Sequence, residues 1–83
     1  MNTKALDDAL ALAEHRRHLP SPKIRRAVRE SAGISQTDLA KALNVDRATV
    51  SRWESGDRRP GPDVLQRYLA ALDRLARARQ DAS

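Results

Sequence analysis

QTDLAKALNVDRATVSRWES, residues 36–55, is the stretch whose reading decides the fold. It divides into two short helical patterns, Gln36 to Leu43 and Arg47 to Ser55, separated by Asn44-Val45-Asp46. Each pattern carries its own start signal. Ser35 precedes the first, with Asp38 three residues on, which is a capping box with a short arm. Asp46 precedes the second and reads as its N-cap. Asn44 falls where the chain must reverse, and after glycine asparagine is the residue that best tolerates a left-handed backbone. Ala40 is small enough for two helices to cross closely, and Val45 is an apolar plug within the turn. Val50 and Trp53, three apart, share the inward face of the second helix.

The outward face of that second helix follows from helical geometry. Counting about 100° per residue from Val50 puts Ala48 near 160° and Arg52 near 200°. Ser51 and Ser55 fall beside them, and Arg47 sits in the first turn. The exposed set is therefore Arg47, Ala48, Ser51, Arg52 and Ser55. Two arginines, two hydroxyls and a small apolar residue suit base edges in a DNA major groove. Arginine can donate two hydrogen bonds to guanine, and alanine can touch a thymine methyl.

Proline and glycine punctuate the rest of the chain at Leu19-Pro20-Ser21-Pro22, at Gly33, and from Gly56 to Pro62. A helix is predicted from about Thr3 to His18, with Leu6, Ala9, Leu10 and Ala13 as its apolar stripe. A second runs from Pro22 to Ala32, with Ile24, Ala27 and Val28 inward and Gly33 as its stop. The last begins at Pro62, a favourable first helical position. It presents Val64, Leu65, Tyr68, Leu72 and Leu75 on one side and continues to about Arg79.

The chain has 83 residues, room for one compact domain with a small core. Trp53 and Tyr68 are the only aromatics, so aliphatic side chains must build most of that core. The net charge is +5. Residues 1–18 are neutral, residues 19–59 carry +4 and residues 60–83 carry +1, so the excess sits in the middle. A small basic domain points to a polyanionic partner. There are no cysteines, which excludes disulfides and thiolate metal sites and fits a reducing, cytoplasmic setting. The longest apolar run near the start, Ala9 to Ala13, is too short for a secretory signal, and no segment has the length to span a membrane. His15 and His18, with Glu14 nearby, are an incomplete ligand set, so no metal is expected. Cofactor sites and catalytic constellations are equally absent from the expectation: the serines lack a histidine partner, and Gly33, Gly56 and Gly61 form no phosphate loop. Arg16, Arg17, Lys23, Arg25 and Arg26 flank the proline break, either reaching a DNA backbone from the side or standing in solvent.

The stretch IRRAVRESAGISQTDLAKALNVDRATVSRWESGDRRP, within residues 23–72, resembles the XRE family, the helix-turn-helix of phage repressors and Cro proteins. The resemblance implies an all-α, five-helix, lambda-repressor-like domain. Residues 1–19 would be an accessory helix, 23–72 the helix-turn-helix core and 73–83 a helical extension. It implies base contacts from Arg47, Ala48 and Arg52, and backbone contacts from Ser35, Gln36, Asp46, Thr49, Ser55 and Arg59; Ser51 on the exposed face and Arg58 beside Arg59 join them as backbone-contact candidates by position. Gln36 would also brace a side chain of the recognition helix. Arg29 and Glu54 would form a structural salt bridge. The implied partner is double-stranded DNA carrying a palindromic operator, bound by a homodimer, with the protein acting as a repressor. Leu72 and Leu75, together with Leu65, exceed what covering one small domain requires and are candidate dimer contacts. Asn44 stands where the family commonly has glycine, and the last helix runs on where the family usually has a short separate one. The added first helix is expected to cover the core patch this leaves open, so that deleting residues 1–18 would lower the melting temperature sharply. Two other readings stand beside it: an antitoxin of the same fold, holding a toxin protein through its N-terminal helix and repressing its own operon, and, from another class, a protein–protein adaptor whose arginines never meet DNA.

Overall fold

A computed structural model describes residues 2–81, and side chains as far as Ala78. Five helices follow one another: α1 (Thr3–Arg17), α2 (Pro22–Ser31), α3 (Gln36–Leu43), α4 (Arg47–Ser55) and α5 (Pro62–Asp81). The described residues contain no strand, and the fold is all-α. No described helix is long and apolar enough to cross a membrane.

Local chemistry sets the helix ends. Asn2, Ser21, Ser35 and Asp46 each accept a backbone N–H three residues on through a side-chain oxygen. At the other ends the chain turns left-handed at Gly33, Asn44 and Gly56, with φ of 74°, 58° and 85°. Asn44 makes the tight turn between α3 and α4 as expected. Its amide and that of Val45 both return to the Ala40 carbonyl, which closes the helix and swings Val45 half-buried against the core.

The core forms between α3, α4 and α5. Leu39, Ala40 and Leu43 meet Val50 and Trp53, and Val64, Tyr68 and Leu72 close over them. Trp53 and Tyr68 sit with ring centroids 4.8 Å apart and planes tilted by 31°, a favourable aromatic geometry. This assigns Leu72 to the chain's own interior. Leu65 is buried too, and Leu75 packs half-buried against the core. Leu72 therefore has no surface left for the dimer contact expected of it.

Two helices face differently from their apolar periodicity. On α2, Ile24 is 54% exposed and Ala27 is also outside, whereas Arg25 and Arg29 are buried and Val28 half-buried. The inward side of α2 meets the ends of other helices, where free carbonyls and a carboxylate await donors, so arginine satisfies it better than isoleucine. On α1, Leu6 and Leu10 of the expected stripe stand in solvent, and Ala9 and Ala13 with them. The helix leans on α5, where a ring nitrogen of His15 lies 3.2 Å from Gln66 Nε2, and Leu12 is its one half-buried leucine. No residue of α1 is buried, because α2 to α5 already close the core without it.

With none of its residues buried, α1 is expected to contribute little to stability, in place of the large contribution anticipated from sequence. Deleting residues 2–17 should leave a cooperatively folding domain. Half-burial of one leucine is worth about 1 kcal/mol, so the melting temperature should fall by only several degrees in a calorimetric scan.

Candidate nucleic-acid interface

The turn at Asn44 holds α3 and α4 so that the N-terminus of α3 and the outer face of α4 lie on one side of the molecule. Arg47, Ala48, Arg52 and Ser55 are exposed there, and Ser51 is half-exposed. No acidic side chain interrupts this outward set. Ser35 is exposed and Gln36 half-buried at the start of α3, while Arg58 and Arg59 project from the loop that follows α4.

A chain of charge-assisted hydrogen bonds runs through the domain to this face. The Arg29 guanidinium grips the Glu54 carboxylate with two parallel bonds, Nε to Oε2 at 2.7 Å and Nη2 to Oε1 at 2.9 Å. The two side chains are 9% and 2% exposed, so the expected salt bridge is present and sits in the interior. Arg29 Nη1 also donates to the Ile34 carbonyl at 2.8 Å. Gln36 Nε2 donates to Glu54 Oε1 at 3.0 Å, which leaves its amide oxygen facing outward to accept from Arg47 Nη1 at 3.1 Å. The bracing role expected of Gln36 therefore has a geometry, and the side chain it braces is Arg47.

Burial by itself would push the Glu54 carboxyl up, but the bonds from Arg29 and Gln36 outweigh it and hold it below its ordinary value. The Glu54 carboxylate raises the Arg29 guanidinium in return. At the start of α4 the Asp46 carboxylate accepts from the Thr49 hydroxyl at 2.6 Å and the Thr49 amide at 2.9 Å, which lowers its pKa. Asp46 and Thr49 are thus occupied with each other as a cap. The Ser55 hydroxyl donates back to the Arg52 carbonyl at 3.1 Å. Arg52 is not held in this way. Its side chain lines a cleft of about 510 Å³ together with Thr49, Arg58, Arg59 and Arg67.

Sequence reasoning missed two arginines. Arg25 lies beneath the interface, only 5% exposed, with Nη1 donating to the Pro20 carbonyl at 2.6 Å and Nη2 to the Trp53 carbonyl at 2.8 Å. It satisfies a carbonyl that α4 leaves free at its C-terminus, and its guanidinium carbon lies 5.6 Å from the centre of the Tyr68 ring. Arg67 does the same for α3 by donating to the Leu43 carbonyl at 3.3 Å. Arg25 thus neither stands in solvent nor reaches outward, and its signal in the sequence was the spacing of positions 25, 28, 29 and 32, one helical stripe in which Arg25 and Arg29 concealed the inward face.

The sequence profile of a family described as Helix-turn-helix matches residues 26–76, more than half of the chain. The chain belongs to the XRE family of helix-turn-helix proteins. A protein of Archaeoglobus fulgidus, described as an uncharacterized HTH-type transcriptional regulator, is 38% identical to this XRE-family chain over 50 residues. The match takes in 60% of this chain and 22% of that relative, so the chain spans about a fifth of the relative's length. No solved structure matches the chain.

The buried pair yields a prediction with a sign. Because Glu54 titrates below its unfolded value, the stability it contributes is fully present above the unfolded pKa and is lost as pH falls through the folded value. In urea denaturation at pH 6 and pH 3, Glu54→Gln should lose less stability on acidification than the wild type. Arg29→Ala, which strands a buried carboxylate, should cost about 3–5 kcal/mol at pH 7, whereas the apolar pair Arg29→Met with Glu54→Leu should recover most of that loss.

Proposed function

We propose that this domain is a sequence-specific DNA-binding transcriptional regulator, acting as a repressor, with α4 in the major groove. The observation that carries the reading is the outward face of α4. It is free of acidic groups, its Arg47 is braced by Gln36, and its Arg52 side chain makes no hydrogen bond among the described residues. Membership of the XRE family and a relative described as a transcriptional regulator support it.

In this reading Arg47 and Arg52 donate to guanine edges and Ala48 meets a thymine methyl. Ser35, Gln36, Thr49, Ser51, Ser55, Arg58 and Arg59 lie along the phosphates and set the register, with Asp46 contributing through the cap it forms. Preorganisation matters for Arg47. A long side chain already held by Gln36 loses less rotamer freedom on binding than a free one. One domain covers few base pairs, so the active species is a homodimer on a palindrome with half-sites about one helical turn, ~34 Å, apart.

A second reading, an antitoxin of the same fold, draws on a different feature. Leu6 and Leu10 are 51% and 60% exposed on α1 and have no role in the core. That face would hold a protein partner, and stoichiometric co-purification of one partner, lost on Leu6→Asp with Leu10→Asp, is the expected outcome in that case.

DNA selected from a random pool by the purified protein at near-physiological salt should be enriched in a palindrome with that spacing. On the enriched site Arg52→Ala should weaken binding by about 1–3 kcal/mol and relax preference at one base position, while Arg59→Ala should weaken all sequences alike and flatten the salt dependence. A pool with no enrichment would sink the repressor reading.

A further inference from the structure

The loop after α4 separates two clefts, and Arg58 and Arg59 line both. One is the cleft beside Arg52. The other, on the side of α1 and α2, has a volume of about 380 Å³ and an unusual lining. Arg16 and Arg17 reach it from the end of α1, Arg25 from α2, and Arg58 and Arg59 from the loop. Among the described residues no acidic side chain lines it. Arg17 is paired with Glu14, but Arg16, Arg25, Arg58 and Arg59 have no carboxylate within salt-bridge distance among the described residues.

Arg25 makes the imbalance acute. It is almost wholly buried, its terminal nitrogens are spent on two neutral carbonyls, and its Nε is buried with no hydrogen-bond partner among the described residues. A buried cation balanced by carbonyl dipoles and by the ring and hydroxyl of Tyr68, with no carboxylate, is costly, and an anion close by lowers that cost. The remaining wall is apolar, with half-buried Leu19 and Pro22 contributing surface. A bare DNA phosphate has no use for such a wall, whereas an organic anion does. The volume lies in the range of small-molecule sites, about 300–1,000 Å³.

We propose that this cleft binds a small organic anion, a phosphate or carboxylate on an apolar body, and that its occupation weakens the hold of Arg58 and Arg59 on DNA. Guanidinium groups match phosphate and carboxylate bidentately, so a ligand held by Arg58 or Arg59 takes donors away from the backbone. The coupling is reciprocal: DNA should weaken the anion to the same extent. This second half rests on the DNA-binding reading above; the first does not.

The test uses the full ¹⁵N-labelled chain without DNA, titrated at constant ionic strength with phenyl phosphate and, separately, inorganic phosphate. Phenyl phosphate should shift the amides of Leu19, Gly56 and Arg58 and bind about tenfold more tightly than inorganic phosphate. Arg16→Glu, a change at an exposed position that places a carboxylate at the mouth, should abolish those shifts and leave the rest of the spectrum in place. Equal, weak binding of both probes with shifts spread over every basic surface would overturn the site. So would duplex DNA perturbing the same amides while the phenyl group adds nothing, which would give the cleft to a DNA phosphate. Once the site holds, saturating phenyl phosphate should raise the Kd for duplex DNA several-fold in the wild type and not in Arg16→Glu. An unchanged Kd would overturn the coupling and leave the site.

Discussion

A carboxylate sealed inside a small domain is the constraint on which the rest of this structure depends. Glu54 lies near the end of α4 with its side chain 2% exposed, and every donor that reaches it comes from another element. Arg29 comes from α2 and Gln36 from α3, so three helices are tied through two oxygen atoms. An apolar pair in place of Arg29 and Glu54 is often close to neutral for stability. What an apolar pair would not do is orient the Gln36 amide, and that orientation presents an acceptor to Arg47 on the outer surface. The interior charge therefore reaches the surface as a positioned side chain, and the network's value lies in geometry more than in net stability.

Seven of the arginines fall into two groups. Arg25, Arg29 and Arg67 serve the fold by donating to carbonyls left free where helices and turns end, at Pro20, Trp53, Ile34 and Leu43. Arg47, Arg52, Arg58 and Arg59 are exposed and make the basic face. The +4 of the central segment thus mixes structural cations with the field a partner would feel. Arginine can fill the first role because its stem packs like an aliphatic chain and its planar head offers several donors in fixed directions. A lysine in place of Arg25 would put one compact ammonium where two separate carbonyls are served.

The outer helix and the long last helix show how a small core limits what flanks it. Trp53 and Tyr68 stack at the centre, and Leu39, Leu43, Val64 and Leu72 complete the enclosure. With that volume filled, α1 finds only the side of α5 to rest on, and its leucines stay outside. Leu72, which exceeds what a shorter helix would supply, goes into the core instead of toward a second copy. Tyr68 carries the cost of this packing. Its hydroxyl is buried without a partner among the described residues, and burial pushes its pKa up against the pull of nearby Arg25.

What the sequence by itself determined is local. The caps at Ser35 and Asp46, the left-handed turn at Asn44, the inward Val50 and Trp53 and the outward Arg47, Ala48 and Arg52 all follow from interactions within a few residues, whose geometry the helix dictates. The Arg29–Glu54 pair was legible through a family resemblance, because 25 residues of chain separate its members and no periodicity connects them. Only the tertiary structure decided that α2 faces inward with arginines, that α1 keeps its leucines in solvent, and that Leu72 is core. The reason is that an inward face is defined by what stands opposite. Where helix ends present free carbonyls and a carboxylate, charge is the complement, and where the core is already closed, an apolar stripe has nothing to meet.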